Sequence, residues 1–172
     1  LQNLGNGTTY SGIRNTAVGY EAGGSGVWGG GSNGNGDDNV VLGYRAGYAT
    51  TTGTDKVIIG SSGGAAMTTG KNCVLIGKGA GVAMVGNTYN IAIGRNAMAA
   101  ADNDELYNVA IGDGALESEA GGADYCVAVG YQALATQDAN VKNTVIGGLA
   151  GDAISNSTGN TLIGYMAGSA MD

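Results

Sequence analysis

The sequence predicts an all-β fold, namely a parallel β-solenoid (β-roll) of about nine coils with a period of about 17–18 residues. Three observations lead to this prediction. A glycine recurs at a nearly fixed interval, a short aliphatic run precedes each of these glycines, and no segment has the periodicity of an amphipathic helix. A short fixed period is typical of stacked units that contact only their neighbours along the stack.

The recurring glycine marks one position in every coil, which we call position 0. The first interval, from Gly19 to Gly43, is the longest, and every later interval is shorter and nearly constant. We expect each glycine to occupy a sharp corner after a strand, because glycine adopts positive φ without a steric penalty. These register glycines are Gly19, Gly43, Gly60, Gly77, Gly94, Gly112, Gly130, Gly147 and Gly164.

The three residues before each register glycine are predicted to form the strand of that coil. Positions −1 and −3 are aliphatic or threonine throughout, and position −2 is never polar. Alternation places −1 and −3 on one face and −2 on the other. Since both faces are apolar, we expect one to line the coil and the other to pack against a second copy of the chain. Ile93→Asp is therefore expected to abolish folding, and the rest of each period is expected to form variable surface loops.

The register also suggests the domain limits. Residues 1–14 are expected to form an N-terminal cap or to continue a preceding coil, and residues 15–172 to form the repeat domain. A glycine-rich insertion at 20–38 is the widest departure from the period. The chain starts at Leu1, with neither an initiator methionine nor a recognisable signal peptide, which suggests a fragment or a processed piece.

Composition argues against several classes of function. Fourteen acidic residues against seven basic ones give a net charge of −7, which disfavours nucleic-acid binding. No apolar run is long enough to span a membrane. The chain has no histidine, which removes the usual general base and the commonest metal ligand. We therefore expect no enzymatic activity and no catalytic residue.

Position −4 holds asparagine in six coils and cysteine in two, at Cys73 and Cys126. We expect the asparagines to form a stacked amide ladder that satisfies backbone groups of the turn and neighbouring amides. The cysteines lie three coils apart, about 14 Å, which is too far for a disulfide. They are therefore predicted to be buried free thiols.

The insertion contains the only tryptophan, Trp28, which could contact a receptor or fold back as a plug on the coil edge. In the same segment, Gly34-x-Gly36-x-Asp38 resembles the calcium-binding nonapeptide of β-roll toxins, with Asn33 in place of the first glycine. That motif holds calcium between adjacent turns and needs successive copies, whereas one imperfect copy is present. Asp37 and Asp38 are the candidate calcium ligands, and no other cofactor is expected.

Three tyrosines at position −5 of consecutive coils, Tyr89, Tyr107 and Tyr125, are expected to form an aromatic column. A second, broken column follows the register glycine at Tyr20, Tyr44, Tyr131 and Tyr165. Ring faces suit the apolar side of a sugar, so the three tyrosines and Trp28 are our receptor-contact candidates. The alternative is that the tyrosines only brace the corner of the solenoid.

An acidic stretch at 102–124 is expected to form an acidic belt on one side of the stack. Such a belt could bind cations, steer a basic partner, or simply be a solvated face. Its members are Asp102, Asp104, Glu105, Asp113, Glu117, Glu119 and Asp124.

The repeat Asn-Thr-Ala-Val-Gly-Tyr-Glu-Ala-Gly at 15–23 has echoes along the chain up to 160–168. It resembles the head repeats of trimeric autotransporter adhesins and the repeats of bacteriophage tail fibres. The resemblance implies a homotrimer of left-handed β-rolls, intertwined or side by side, on a virion or a cell surface. Adhesin heads usually have a shorter period, and the Asn-Thr-x-x-Gly-Tyr-x-Ala-Gly form is closer to the phage fibre repeats.

These observations predict a structural and adhesive segment of a trimeric phage tail fibre that mediates recognition of a host surface. The expected partners are further copies of the chain and a host glycan or protein. We expect no nucleic acid and no membrane insertion. Two alternatives remain open: a bacterial surface adhesin or extracellular matrix filament, and a fibre-borne polysaccharide-degrading domain that uses acidic residues of 102–124.

Overall fold

The computed structural model describes residues 12–24, 36–101, 105–118, 122–137, 142–152, 154 and 156–169. These residues form nine three-residue strands and no helix. The strands are β1 (Thr16–Val18), β2 (Val40–Leu42), β3 (Val57–Ile59), β4 (Val74–Ile76), β5 (Ile91–Ile93), β6 (Val109–Ile111), β7 (Val127–Val129), β8 (Thr144–Ile146) and β9 (Thr161–Ile163).

The nine strands form one parallel sheet in sequence order. Each strand pairs with the next in the same register, so that Val57 lies beside Val74 and Val74 lies beside Ile91. Every position of a coil is therefore stacked on the same position of the coil before it. This topology confirms the predicted parallel β-solenoid with one strand in each coil.

Position −2 of the strand points into the solenoid. Val41, Ile58 and Leu75 at this position are fully buried, whereas the flanking positions −1 and −3 are half-buried or exposed. We call the sheet surface formed by positions −1 and −3 the outer face. Ile93 lies on this outer face and its neighbour Ala92 lies in the core. The expected effect of Ile93→Asp on folding stays a prediction, and it concerns the outer face and not the interior of the coil.

The turn after the strand contributes as much to the core as the strand does. Position +3 is a buried alanine in most coils, and positions +4 and +7 also point inward, as in Met98 and Met84. The interpretation of positions +4 and +7 as surface loop was therefore wrong. Position +4 alternates between glycine and Met or Leu, and position +7 changes residue type from coil to coil, so neither position forms a constant column in the sequence.

Positions −2 and +4 of one coil share a single volume in the core. Where position −2 is branched, position +4 is glycine, and a Cβ built on Gly64 would lie 3.0 Å from Ile58 Cδ1. In three of the four coils where position −2 is alanine, a large side chain fills the space from position +4; the first coil, with Ala17 and Gly23, is the exception. The glycine pairs are Val41/Gly47, Ile58/Gly64, Leu75/Gly81, Val145/Gly151 and Leu162/Gly168, and the alanine pairs are Ala92/Met98, Ala110/Leu116 and Ala128/Leu134.

Backbone hydrogen bonds join consecutive coils through the strand and around the corner. The register glycine Gly60 donates its N–H to Leu42 O (2.8 Å), and Gly64 donates to Ala80 O of the next coil (2.9 Å). The register glycines have φ between +131° and +145°, a region that favours glycine. Both the φ angle and the close stacking of coils therefore require glycine at position 0.

Candidate functional site

The outer face is a strip along all nine strands that is aliphatic except for three threonines at position −3, namely Thr16, Thr144 and Thr161. In the middle of the stack, Ile59, Ile111 and Ile146 are 38%, 37% and 40% exposed. Val18 and Ile163, on the first and last strands, are more exposed still. Soluble proteins rarely leave a continuous aliphatic surface of this kind open to water, so the strip is a candidate contact surface.

Tyr89, Tyr107 and Tyr125 form the expected column, which we call the tyrosine column. All three have positive φ (60–62°), so their side chains leave successive coils in the same direction. The ring centroids are 4.9 and 5.0 Å apart, and the planes are inclined by only 2° and 12°. The spacing equals one strand separation. The parallel register of the coils thus sets the spacing of the rings.

Stacking changes what the tyrosine column offers to a ligand. Both faces of the Tyr107 ring are covered by its neighbours, and Lys142 Nζ lies 5.9 Å from the centroid of the Tyr125 ring. A sugar therefore cannot stack on the face of Tyr107, as the aromatic-platform interpretation required. As whole residues the three tyrosines nonetheless remain exposed. No hydrogen bond to these three phenols is formed by the part of the chain that the structure describes.

The second tyrosine column is broken, as expected, and its best-formed part is the Tyr20–Tyr44 pair. The two rings stack at 5.7 Å with planes 9° apart. Arg45 packs over the Tyr44 ring (5.4 Å) and bonds to Glu21 (2.6 Å). The hydrogen bond and charge of Glu21 raise the pKa of both Arg45 and Tyr20. The Tyr20–Tyr44 pair is therefore linked to two charged side chains, Glu21 and Arg45.

The candidate calcium ligands are used within the coil stack. Asp37 Oδ1 accepts the N–H of Ile13 (2.8 Å), and Asp38 pairs with two guanidinium nitrogens of Arg14 (2.5 and 2.7 Å). The bond to Arg14 lowers the pKa of Asp38. Over the described ranges no three side chains are grouped as a metal site would need. Calcium binding at Asp37 and Asp38 stays a prediction, and Trp28 lies outside the described residues.

The structure corrects the expected acidic belt at one of its members, Glu105. Glu105 is fully buried and accepts a hydrogen bond from Asn87 Nδ2, so it belongs to the interior and not to a surface belt. Asp113 pairs with Arg95 (2.7 Å), and Asp124 Oδ1 accepts the N–H of Leu106 (2.8 Å). Glu117 Oε1 accepts a hydrogen bond from Asn96, and the remaining members, Asp102, Asp104 and Glu119, lie outside the described residues.

The asparagines at position −4 tie each coil to the next. Asn108 Oδ1 accepts the N–H of Cys126 (2.8 Å), and Asn108 Nδ2 donates to Ala123 O (2.6 Å), both in the next coil. Asn39, Asn90 and Asn143 make equivalent pairs of bonds. Most bonds of the ladder run from side chain to backbone, and one runs between amides, from Asn160 Nδ2 to Asn143 Oδ1 (3.1 Å). These bonds confirm the expected structural role.

Cys73 and Cys126 occupy the same slot as buried free thiols, which confirms the prediction. Burial raises the pKa of the Cys73 thiol. The Cys73 thiol lies within hydrogen-bond distance of Lys71 O (3.3 Å) and Asn87 O (3.4 Å), and Gln137 Nε2 lies 3.3 Å from Cys126 Sγ. The two thiols therefore occupy the place in the core that the asparagine amide fills in other coils.

The ninth occupant of position −4 is Lys56, which the sequence analysis missed. Its side chain is fully buried, and Lys56 Nζ lies 3.3 Å from Thr50 Oγ1. Burial lowers the pKa of Lys56 to about 8. The interruption of the asparagine column was the available signal, because any residue in that slot must point into the core.

Comparisons with known proteins give no assignment: no family model, no curated protein and no solved structure matches this chain. Within the described ranges, the structure has no helix of the length and hydrophobicity needed to cross a membrane. The function must therefore be inferred from the outer face and from the side chains that border it.

Proposed function

We propose that this chain is a structural and adhesive segment of a homotrimeric fibre, most simply a bacteriophage tail fibre that contacts a host surface. The solenoid supplies a stiff shaft, the outer face supplies the contact between copies, and side chains on the exposed columns supply the contact with the host. The resemblance of the Asn-Thr-x-x-Gly-Tyr-x-Ala-Gly repeat supports the phage assignment and the threefold symmetry.

The observation that carries this proposal is the exposed apolar outer face. Nine strands about 4.8 Å apart, each three residues long, give a strip about 40 Å long and 10 Å wide. Patches of about this area commonly mark interaction sites. The best complement to such a strip is an equally long aliphatic strip with the same repeat, which a second copy of the chain provides. Three copies around one axis would cover all three strips in a closed assembly.

The assembly can be tested with a charge on the outer face. Ile111→Glu places a carboxylate at a half-exposed site that contributes nothing to the core, so a single chain should tolerate it. A buried, unpaired charge between copies should dissociate the trimer. Thr69→Glu, on an exposed loop, is the matched control. Light scattering coupled to size exclusion should give a trimer for the wild type and the control, and a folded monomer for Ile111→Glu.

A monomeric wild type, or a trimer that survives Ile111→Glu, would overturn the proposed contact. The setting on a virion needs a separate test. Antibodies raised against the chain should decorate fibres at the tail of the parent particle in negative-stain micrographs. Decoration of a bacterial surface instead would assign the chain to a cellular adhesin.

A further inference from the structure

The tyrosine column presents three phenolic hydroxyls in a straight row along the solenoid axis. Tyr89, Tyr107 and Tyr125 are 49%, 43% and 57% exposed, and their rings repeat at 4.9 and 5.0 Å. Because the rings cover one another, the ligand-facing part of each residue is its edge and its hydroxyl. A phenolic hydroxyl can both donate and accept a hydrogen bond.

Bracing of the corner does not require these hydroxyls. Ring stacking would be served equally by phenylalanine, which the chain lacks entirely while it has nine tyrosines. Within the described residues no side chain or backbone group bonds to the three phenols, in contrast to Tyr20, whose pKa is raised by a hydrogen bond with Glu21. Toward the described residues, the hydrogen-bonding capacity of the row is therefore unused.

The spacing of the row restricts the kind of molecule. A partner that uses all three hydroxyls must be extended, polar along its whole length, and repeat at one strand separation. An extended β-1,4-linked polysaccharide has these properties, because its pyranose units recur at nearly that distance and each carries several hydroxyls. A nucleic acid is disfavoured by the net charge of −7.

We infer that the tyrosine column binds an extended β-1,4-linked polysaccharide that lies parallel to the solenoid axis, with one sugar unit for each coil. Each phenol hydrogen-bonds one sugar through its edge. Lys142, at the end of the column beside Tyr125, adds a cationic donor to the row. This inference depends on the proposed adhesive function and names the class of host molecule for it.

Calorimetric titration with β-1,4-linked oligomers of glucose and of N-acetylglucosamine, from two to six units, tests the inference. Affinity should rise up to three or four units and then level off, because three phenols span that length. Oligomers of α-1,6-linked glucose, whose flexible linkage has no fixed repeat, should not bind. Failure of all β-1,4-linked oligomers to bind, or an affinity independent of length, would overturn the assignment.

Paired tyrosine-to-phenylalanine variants separate hydrogen bonding from bracing. Tyr107→Phe keeps the ring stack and should weaken binding roughly fivefold, the usual effect of losing one neutral hydrogen bond. Tyr44→Phe, in the other column, should leave binding unchanged. Equal affinities of the two variants would contradict the inference.

Light scattering on the same samples distinguishes this failure from failure of the trimer. Loss of glycan binding with an intact trimer would refute the polysaccharide site alone. A change of molecular mass in Tyr107→Phe would instead assign the hydroxyls to the contact between copies and would also overturn the inference.

Discussion

The α-carbon of Gly43 lies so close to the next coil that a Cβ added to it would be 2.7 Å from the carbonyl oxygen of Gly60. The same approach recurs along the stack at each register glycine before the last one. Two restrictions thus act together at position 0, a positive φ and the absence of space. They can be separated experimentally, because some glycines of the chain have one restriction without the other.

Gly43→Ala should destabilise the chain by about 3 kcal/mol or more, since backbone strain and a clash with backbone atoms add. Gly164→Ala has the same strain, with φ at +134°, but its Cβ would meet only Ala167 Cβ at 3.9 Å. Gly122→Ala, within the stack, has φ at +78° and no atom within 4 Å. Denaturant unfolding of the three variants should give the largest loss for Gly43→Ala, and similar losses would contradict the close approach.

Positions −2 and +4 fill one shared volume in the core. We therefore predict that substitutions at Ala92 and Met98, in the coil of β5, are strongly coupled in their effect on stability. Ala92→Leu alone should cost about 1–3 kcal/mol, because Met98 already fills the space. Combined with Met98→Gly it should reproduce the Leu75/Gly81 arrangement of the preceding coil. A double-mutant cycle should therefore show a favourable coupling of about 1–2 kcal/mol. Additive effects would show that the two positions do not share one volume.

Lys56 should make stability depend on pH in a defined window. Its pKa in the folded chain is about 8 and its ordinary value is 10.5, so the unfolded chain binds more protons between these two pH values. Stability should rise with pH across this window, and the penalty at neutral pH is about 3 kcal/mol. Lys56→Asn, which restores the residue of the ladder, should be more stable than the wild type at pH 7.

The advantage of Lys56→Asn should shrink as the pH rises from 8 towards 10.5. Urea unfolding of both proteins at pH 7 and pH 9.5, under reducing conditions, measures this difference. Comparison of the two proteins removes the contribution of groups that titrate equally in both. A constant difference would show that the Lys56 ammonium is not desolvated in the folded chain.

Asn108→Ala should cost about 2–4 kcal/mol, because it removes the hydrogen bonds that Asn108 makes inside the core with the N–H of Cys126 and the carbonyl of Ala123. Asn72→Ala is the control, since Asn72 is exposed and has no such role. Asn72 has a positive φ of 53°, which alanine tolerates less well than asparagine, so we expect a loss of about 1 kcal/mol from this variant. Thermal unfolding followed by circular dichroism should rank the two variants in this order, and the reverse order would argue against the ladder.

Features that repeat in every coil could be predicted from the sequence. The register glycines, the strand positions, the separation of the two thiols and the tyrosine column all follow from a single period and the rise of a stacked strand. A residue type that recurs at one position of every coil can be identified from the period alone, without knowing the direction of its side chain. The same pattern could not show which face of the strand is inside, because both faces are aliphatic.

Residues that break a column could not be placed from the sequence. Met98 and Leu116 lie where other coils have glycine, and only the positive φ at this position turns their side chains into the core. Lys56 and Glu105 are charged, so solvent exposure was the natural expectation, yet both are fully buried. Their surroundings depend on the neighbouring coils and not on the local sequence.

The hydrogen bonds between coils also determine how the chain would respond to tension. The chain enters the solenoid beside β1 and leaves it beside β9, so a pull on the two ends acts along the stack and parallel to these bonds. Under such a load coils detach one at a time from an end, and each releases one period of the chain. Each release lengthens the chain by about 50 Å. A shaft of this design would therefore lengthen in small steps, nearly equal except at the longer first coil, before it breaks.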